Sequence, residues 1–514
     1  ARLQQVLQNF QDQAGFTGGI SAAINVDGLA TWEGATGFAA RNVDAQNNLL
    51  PGGTAFTTST LSRIYSVTKT FTAALVLELI KKGEMSLDDP IIQYMPYLNA
   101  YNPALNGNAT IRQLLYHESG YSDWEENLNL QIAIAFDPSH VWTPYELAYF
   151  TEQLSAPGTA RVYSHNNYVF LGAAIEAATG ETLQDLYRDY FFTPLNLGSM
   201  YMDGREAHGS RPPLAAPHDN ISPFNPIFQF TGQPTFPNAY TNISAFNFTA
   251  ITSLESAGGA LIADASDLAV FSNALFGNRI TSAGVVDEML ASISTTPDAY
   301  GNLLGYGIKN TDNISGDYDF IGHNGSAPGY RSAMFYNHDR KMTIVVLTNF
   351  AGVDPYAISA ALFEALPEFI CGNEERRENK IRLCFNENVI CVDRHAAAGH
   401  ISKGAYLGGC ETPSSKSITT TVIETKPAAP VFRQYPNPSN GTLHIEFNVA
   451  KAGNVQLAVY DLNGRLVSKI YEGYMEKGIN RNTNFNTASL SSGVYITRLQ
   501  TADGVKEQKL IVGK

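Results

Sequence analysis

An α/β domain followed by a small all-β domain is the architecture expected from three stretches of this chain. From Phe71 to Ile80 the residues are almost wholly apolar (FTAALVLELI) and run into Lys81-Lys82-Gly83. That is the pattern of a buried helix with cations in its last turn and a glycine just past its end. Gly19 to Val26 and Leu29 to Gly37 read as a strand pair turned at Asp27-Gly28, and Ile344 to Asn349 as a buried strand. Beyond residue 440 the pattern becomes alternation. Leu443, Ile445, Phe447 and Val449 point one way, Thr442, His444, Glu446 and Asn448 the other, and Val455, Leu457 and Val459 repeat it.

At 514 residues more than one domain is expected, and 44% hydrophobic content is ample for real cores. A formal charge of −14 argues against nucleic acid or an anionic membrane surface as the main partner. No window of about 18 apolar residues exists, so no membrane span is expected. The chain opens with ARLQQVLQNF, whose Leu3, Val6, Leu7 and Phe10 share one helical face. This is an amphipathic helix without the pattern of a signal peptide, so an exported form is expected to have lost its signal already.

Ser66 stands at the start of the apolar helix, where orphan N–H groups and the positive dipole end favour negative charge. Lys69, three residues on, shares its face and can reach the Ser66 hydroxyl. A serine with a nearby base and an electropositive cradle is an activated nucleophile. Ser-x-x-Lys occurs once in the chain, and it falls at this helix start.

Two later stretches give that pair a context. The first is Pro157-Gly158 followed by Tyr163-Ser164-His165-Asn166-Asn167-Tyr168, leading into the apolar run Val169 to Ile175. The second is Gly322-His323-Asn324-Gly325-Ser326-Ala327-Pro328-Gly329-Tyr330, before the strand-like run Thr343 to Asn349. With Ser66 and Lys69, these resemble in order and spacing the three motifs of the serine β-lactamase and penicillin-binding-protein superfamily, most of all its class C, D,D-peptidase and esterase-like branch. Thr110 to Gly120, Ser256-Ala257-Gly258-Gly259 and Ala265 to Leu268 support the resemblance, which runs from about residue 1 to 367. It implies an antiparallel sheet flanked by helices, with an all-helical subdomain between the first and second motifs and the nucleophile at their junction.

The same resemblance implies roles for residues. Ser66 is the nucleophile, and its proton goes to Lys69, if burial lowers the lysine pKa, or to Tyr163 as a phenolate held beside it. The oxyanion is received by the backbone amides of Ser66 and Ser326, with Gly325 letting the substrate backbone approach. His323 and Asn324 fall to substrate binding: His323 takes a substrate carboxylate when protonated or the Tyr163 hydroxyl when neutral, with a structural strand histidine as the bland alternative. The second motif departs from the family's Tyr-x-Asn. His165 stands in the amide-recognition place and Asn166 one position late, so His165 is expected to meet substrate without reproducing both donor and acceptor of an amide. His117 lies in a stretch that is structural in the family, while Trp124, Trp142, Tyr121 and Tyr330 are either pocket lining or core. No cofactor and no metal is implied.

All four cysteines, Cys371, Cys384, Cys391 and Cys410, fall in one short segment that also holds His395 and His400. A disulfide-stapled module outweighs a zinc site, since the spacing matches no standard finger, and four cysteines allow three pairings. Ser, Thr and Pro from Thr412 to Pro430 read as an extended linker. The last stretch carries hairpin turns at Asn463-Gly464 and Asp503-Gly504 and reads as a small β-sandwich. Its Tyr435-Pro436-Asn437-Pro438, Val459 to Gly464 and Ser492-Gly493-Val494-Tyr495 resemble the C-terminal sorting domain of the type IX secretion system of Bacteroidetes. The expected order is a hydrolase domain over 1–370, a Cys-rich module over 371–412, a linker over 413–432 and a sorting domain over 433–514.

The function expected is a secreted or surface serine hydrolase forming an acyl-enzyme on a small-molecule or peptide ester or amide, with the secretion machinery as the partner of its C-terminal domain. The alternatives are a β-lactamase proper, a slowly deacylating penicillin-binding or sensor module, and a dead enzyme serving adhesion. The intact Ser66, Lys69 and Tyr163 set argues against the last.

Overall fold

Strand β1 (Gly19–Val26) turns at Asp27-Gly28, where Gly28 adopts a φ of 69°, and returns as β2 (Ala30–Val43). That pair belongs to an eight-stranded antiparallel sheet with β3 (Leu49–Ala55), β4 (Leu303–Gly305), β5 (Ile308–Thr311), β6 (Phe320–Ala327), β7 (Tyr330–Asn337) and β8 (Met342–Thr348). The strand order is β3-β2-β1-β8-β7-β6-β5-β4. The computed structural model describes residues 2–297, 302–371, 380–410, 432–435, 439, 441–447, 449, 451–461, 465–475, 481–502 and 504–512. They gather into two units, 1–410 and 411–514.

In the first unit the helices around the sheet are α1 (Arg2–Gln11), α2 (Thr68–Lys82), α3 (His165–Thr179), α4 (Thr249–Gly259), α5 (Ala265–Phe276) and α6 (Pro355–Ala365). Strand β8 is buried on both faces, which is why its sequence is a continuous apolar run. Ile344 and Val346 enter one core with Leu7 of α1 and Leu362 of α6. Val345 and Leu347 enter the other, with Phe71 of α2 and Phe271 of α5. Those two phenylalanines stack with ring centroids 3.5 Å apart. Helix α2 is buried on nearly every side and closes as its sequence implies: Gly83 takes a φ of 79° and donates to Ile80 O. Between Arg63 and Tyr201 the chain forms helices and turns with only isolated bridges, giving the helical part of the fold around α3.

The cysteines pair as Cys371–Cys391 and Cys384–Cys410, leaving no thiolate to hold zinc. Here a small sheet, β9 (Lys380–Phe385), β10 (Asn388–Asp393) and β11 (Tyr406–Leu407), carries helix α7 (Arg394–Ile401). Ile381, Leu383, Ala397 and Ala405 are buried in the same core as Leu7 and Leu362, so the segment extends the first unit's core. Most of the Ser/Thr/Pro stretch lies outside the described residues.

Among its described residues the second unit holds two antiparallel sheets. One has β12 (Phe432–Tyr435), β13 (Thr442–Phe447) and β16 (Arg481–Asn486). The other has β14 (Gly453–Asp461), β15 (Leu466–Met475), β17 (Gly493–Thr501) and β18 (Gly504–Val512). Leu443, Ile445, Phe447, Val449, Val455, Leu457 and Val459 all turn into its core, as the alternation requires. Asn463-Gly464, Asp503 and Pro436-Asn437-Pro438 lie outside the described residues.

Candidate active site

Ser66 sits in a short 3-10 turn, Tyr65–Val67, that leads directly into α2. Tyr65 is held at a φ of 44°, a strained backbone position for a residue with a side chain. Strand β6 passes alongside. A Cβ on Gly325 would lie 2.2 Å from Ile64 O, so only glycine lets the strand come this close to the turn. The hydroxyl of Ser332, opposite on β7, ties the same carbonyl at 2.8 Å.

Three side chains converge on Ser66 Oγ. Lys69 Nζ donates to it at 3.0 Å and to Gly258 O at 2.8 Å. The Tyr163 hydroxyl donates to it at 2.9 Å. His165 Nε2 lies 3.3 Å away. The small residues Ala257 and Gly258 bring α4 close to α2, where Thr72 Oγ1 also donates to Ala257 O. Lys69 is fully buried, between the rings of Tyr163 and Tyr168, with centroids 5.1 and 5.6 Å from Nζ. Burial pulls its ammonium down to about 8, against the opposing pull of Glu255 and Asp123. The same burial pushes the Tyr163 phenol well above its ordinary value, disfavouring a phenolate.

His165 opens α3 and turns back on Ser66. Its Nδ1 lies 2.9 Å from Asp123 Oδ2, which also accepts the His165 backbone N–H at 3.1 Å. The Glu125 backbone N–H pins the other Asp123 oxygen at 3.1 Å. Asp123 is held down at about 2: burial opposes this, and the His165 charge and hydrogen bonds prevail. Asn166 is turned away, accepting from the Trp124 backbone N–H and donating to Thr151 Oγ1. His117 stacks on the Tyr163 ring at 4.4 Å, accepts the Ser164 N–H and is kept neutral by burial and by Lys69. Trp124 meets His165 edge-on at 6.3 Å, whereas Tyr121 packs in the core.

The third motif divides. His323 is buried with Nδ1 2.6 Å from Asn324 O, and burial and Lys309 hold it well below its ordinary value. A neutral imidazole does not supply the cation for a substrate carboxylate; its ring stands 6.4 Å from that of Tyr163. The side chain of Asn324, expected to meet substrate, is engaged on α6 in this structure. Its Oδ1 accepts from the Tyr356 hydroxyl on α6 at 3.1 Å, because alternate residues of β6 face opposite sides of the sheet. Ser326 follows at an exposed position of β6.

Three groups that sequence reasoning missed stand around this cluster. Asp123 is the first. Lys309 on β5 is paired with Gly322 of β6 and puts its ammonium 5.7 Å from the Tyr163 ring centroid. Glu255 is 1% exposed, and neither carboxylate oxygen has a hydrogen-bond partner among the described residues. Burial raises it to about 7. It precedes Ser256, which sits at φ 37° and ψ −126° where α4 kinks toward Gly258. Asp123, Glu125 and His165 are the one group of three metal-capable side chains among the described residues, and the His165 Nδ1 is already turned to Asp123.

Comparison with known proteins finds two matching families and several relatives. Residues 3–367 match the Beta-lactamase family and residues 433–513 the secretion system C-terminal sorting domain. A D-aminopeptidase of Brucella anthropi is 24% identical over 358 residues, 68% of this chain and 59% of that protein. Penicillin-binding protein 4 of Amycolatopsis lactamdurans is 31% identical over 151 residues, 28% of this chain and 37% of its own length. The chain thus spans less than two thirds of the length of these relatives. A crystal structure of a D-stereospecific amidohydrolase from Streptomyces is 26% identical with a TM-score of 0.55, over 71% of this chain and 97% of that one.

Proposed function

This chain belongs to the β-lactamase family over residues 3–367, and we propose that it is a secreted serine hydrolase working through an acyl-enzyme on Ser66. The observation that carries this reading is the meeting of Lys69 Nζ and Tyr163 Oη on one serine oxygen, 3.0 and 2.9 Å away, at the start of a buried helix. Lys69, pulled down to about 8, is the better proton acceptor of the two. It takes the Ser66 proton as Oγ attacks the substrate carbonyl, and Tyr163, a neutral phenol, relays that proton to the departing amine or alcohol. The developing oxyanion is received by the backbone N–H groups of Ser66 and Ser326. Loss of one such donor typically costs about 10²–10³ in rate.

The substrate is an amide or ester of a D-amino acid in preference to a β-lactam. Relatives named as a D-aminopeptidase and a D-stereospecific amidohydrolase support this class. So does His165, which is turned to Ser66 and Asp123 where a carboxamide would hold the acylamide of a penicillin. Residues 433–513 are a secretion sorting domain, and on this reading they direct the hydrolase through the type IX pathway to the cell surface or the medium.

The test is a side-by-side assay of D-aminoacyl anilides, p-nitrophenyl esters and nitrocefin, with a fluorophosphonate adduct mapped by mass spectrometry. The adduct is expected on Ser66 and is lost in Ser66→Ala. An adduct elsewhere would refute the nucleophile, and nitrocefin turnover equal to that of the best ester would refute the substrate class.

A further inference from the structure

The hydroxyl of Ser66 has one proton to give and two lone pairs to receive, yet it has three polar neighbours. Two arrangements satisfy all three together. In the first, the Lys69 ammonium and Tyr163 O–H donate to Oγ while Ser66 donates to Nε2 of a neutral His165. In the second, reached as Lys69 loses its proton, the lysine accepts the Ser66 proton and the lone pairs receive Tyr163 O–H and His165 Nε2–H. The second needs a histidine that carries protons on both nitrogens, and a carboxylate fixed 2.9 Å from Nδ1 favours it. Asp123 is built to hold it so: one carboxylate oxygen faces Nδ1, and two backbone N–H groups fix the carboxylate. We propose that the His165–Asp123 pair is a second proton-transfer element of this site, in which His165 Nε2–H returns the proton to Ser66 Oγ when the acyl-enzyme breaks down. This rests on Ser66 being the nucleophile, as proposed above.

The step balances. Water attacks the acyl carbon while one of its protons passes through Tyr163 to Lys69. The C–Oγ bond breaks with its electron pair on Oγ, and Oγ takes the proton from His165 Nε2. The carboxylic acid product leaves with the second water proton. Lysine then returns its proton to Oγ as the serine O–H proton moves to Nε2, which restores the starting state. A carboxamide at position 165 could orient a substrate but has no proton to hand over, so the exchange of Asn for His adds chemistry that the family's usual side chain lacks.

The charged groups that face His165 fix its state. Lys69 comes from α2, Asp123 and Glu125 from the turn at residues 123–126, and Glu255 from α4; His117 beside it is neutral. Burial and Lys69 push the imidazolium down, but Asp123, Glu125 and Glu255 outweigh them and hold it at about 9. Asp123 acts through His165 and is a positioning residue; His165 touches the reacting oxygen.

The experiment is burst kinetics of the full chain with p-nitrophenyl acetate, with the acyl group followed on Ser66 by intact mass. His165→Asn and His165→Gln should still give a burst near one equivalent. Clearance of acyl-Ser66 should slow by about 10²–10³, within the range for a proton-transfer group. In the wild type, deacylation should fall as pH rises through about 9, and Asp123→Asn should move that fall to lower pH. Clearance at the wild-type rate in both His165 variants would overturn the role, as would a wild-type deacylation rate that stays flat through pH 9. Burst and clearance falling by the same factor would also overturn it, leaving a purely structural histidine. A wild-type chain that never carries an acyl group on Ser66 would instead remove the nucleophile, and this role with it.

Discussion

Replacing Lys69 with methionine should separate stability from activity. The ammonium has no solvent exposure, and its pKa falls from the ordinary 10.5 to about 8. At about 1.4 kcal/mol per pH unit, carrying that charge inside the folded chain at neutral pH costs about 3 kcal/mol. Methionine has similar length, no charge, and a sulfur suited to the gap between the Tyr163 and Tyr168 rings. Against the gain stands the loss of the bond to Gly258 O, at about 1–3 kcal/mol for a buried group left unsatisfied. The balance runs from no loss to a gain of about 2 kcal/mol, while ester turnover falls by roughly 10³ or more. The pH dependence supplies a sign to check. The folded pKa lies below the unfolded one, so between about 8 and 10.5 the unfolded chain binds more protons. The wild-type penalty is therefore fully present below pH 8 and is released as pH rises to 10.5. The advantage of Lys69→Met, measured as the shift in unfolding midpoint, should shrink across that window. A variant less stable than wild type by more than about 2 kcal/mol at pH 7, or one turning over ester within tenfold of wild type, would refute the reasoning.

Other outcomes follow from the same geometry. Tyr163→Phe should fold and bind as wild type while kcat falls by roughly 10²–10⁴, and near-normal turnover would remove Tyr163 from the chemistry. Acylation, read as the burst rate, should rise with pH through about 8 because Lys69 must be neutral to act as base; a flat burst rate from pH 6.5 to 9.5 would count against it. A chain ending at Cys410 should turn over a soluble ester within about twofold of the full chain and stay in the periplasm of its host, since residues 1–410 form one unit. A soluble, folded but inactive truncation would give the C-terminal unit a part in the site. Cys384→Ser opens a link spanning 26 residues and should lower stability by about 3 kcal/mol in a denaturant midpoint; an unchanged midpoint would show that the core under β9 needs no staple.

The parts of the site that were legible are those carried by one element. Ser66 and Lys69 are three residues apart at a helix start, and the all-round burial of α2 follows from its apolar run. The strand alternation of the second unit was equally plain. Asp123 was not legible, because an aspartate at the head of a short turn looks like any other cap and meets His165 only across 42 residues. Lys309 becomes visible only when β5 is paired with β6, which sequence does not fix. Glu255 lies in a stretch, ITSLESAGG, that reads as an ordinary half-polar helix until the kink at Ser256 turns it inward. Asn324 is different in kind. If His323 faces the site, period-two alternation sends Asn324 to the opposite face, toward Tyr356, a consequence the sequence already held.

The division of labour around Ser66 follows from crowding. Lys69 Nζ and His165 Nε2 lie 3.0 and 3.3 Å from the same oxygen, and two cations at that spacing in a buried site repel strongly. One of them must give up its proton. His165 has a fixed carboxylate 2.9 Å from its far nitrogen. Among the described residues Lys69 has only a carbonyl and a hydroxyl in hydrogen-bond contact, with the Glu255 carboxylate as a more distant influence that burial itself pushes toward neutrality. Between about pH 8 and 9 the proton therefore stays on the histidine and has left the lysine, which on the proposed mechanism makes the lysine the base and the histidine the acid. Putting an imidazole where the family's second motif carries a carboxamide thus does more than change a substrate contact: it biases the charge of the lysine across the serine, and Asp123 is the residue that sets the direction of that bias.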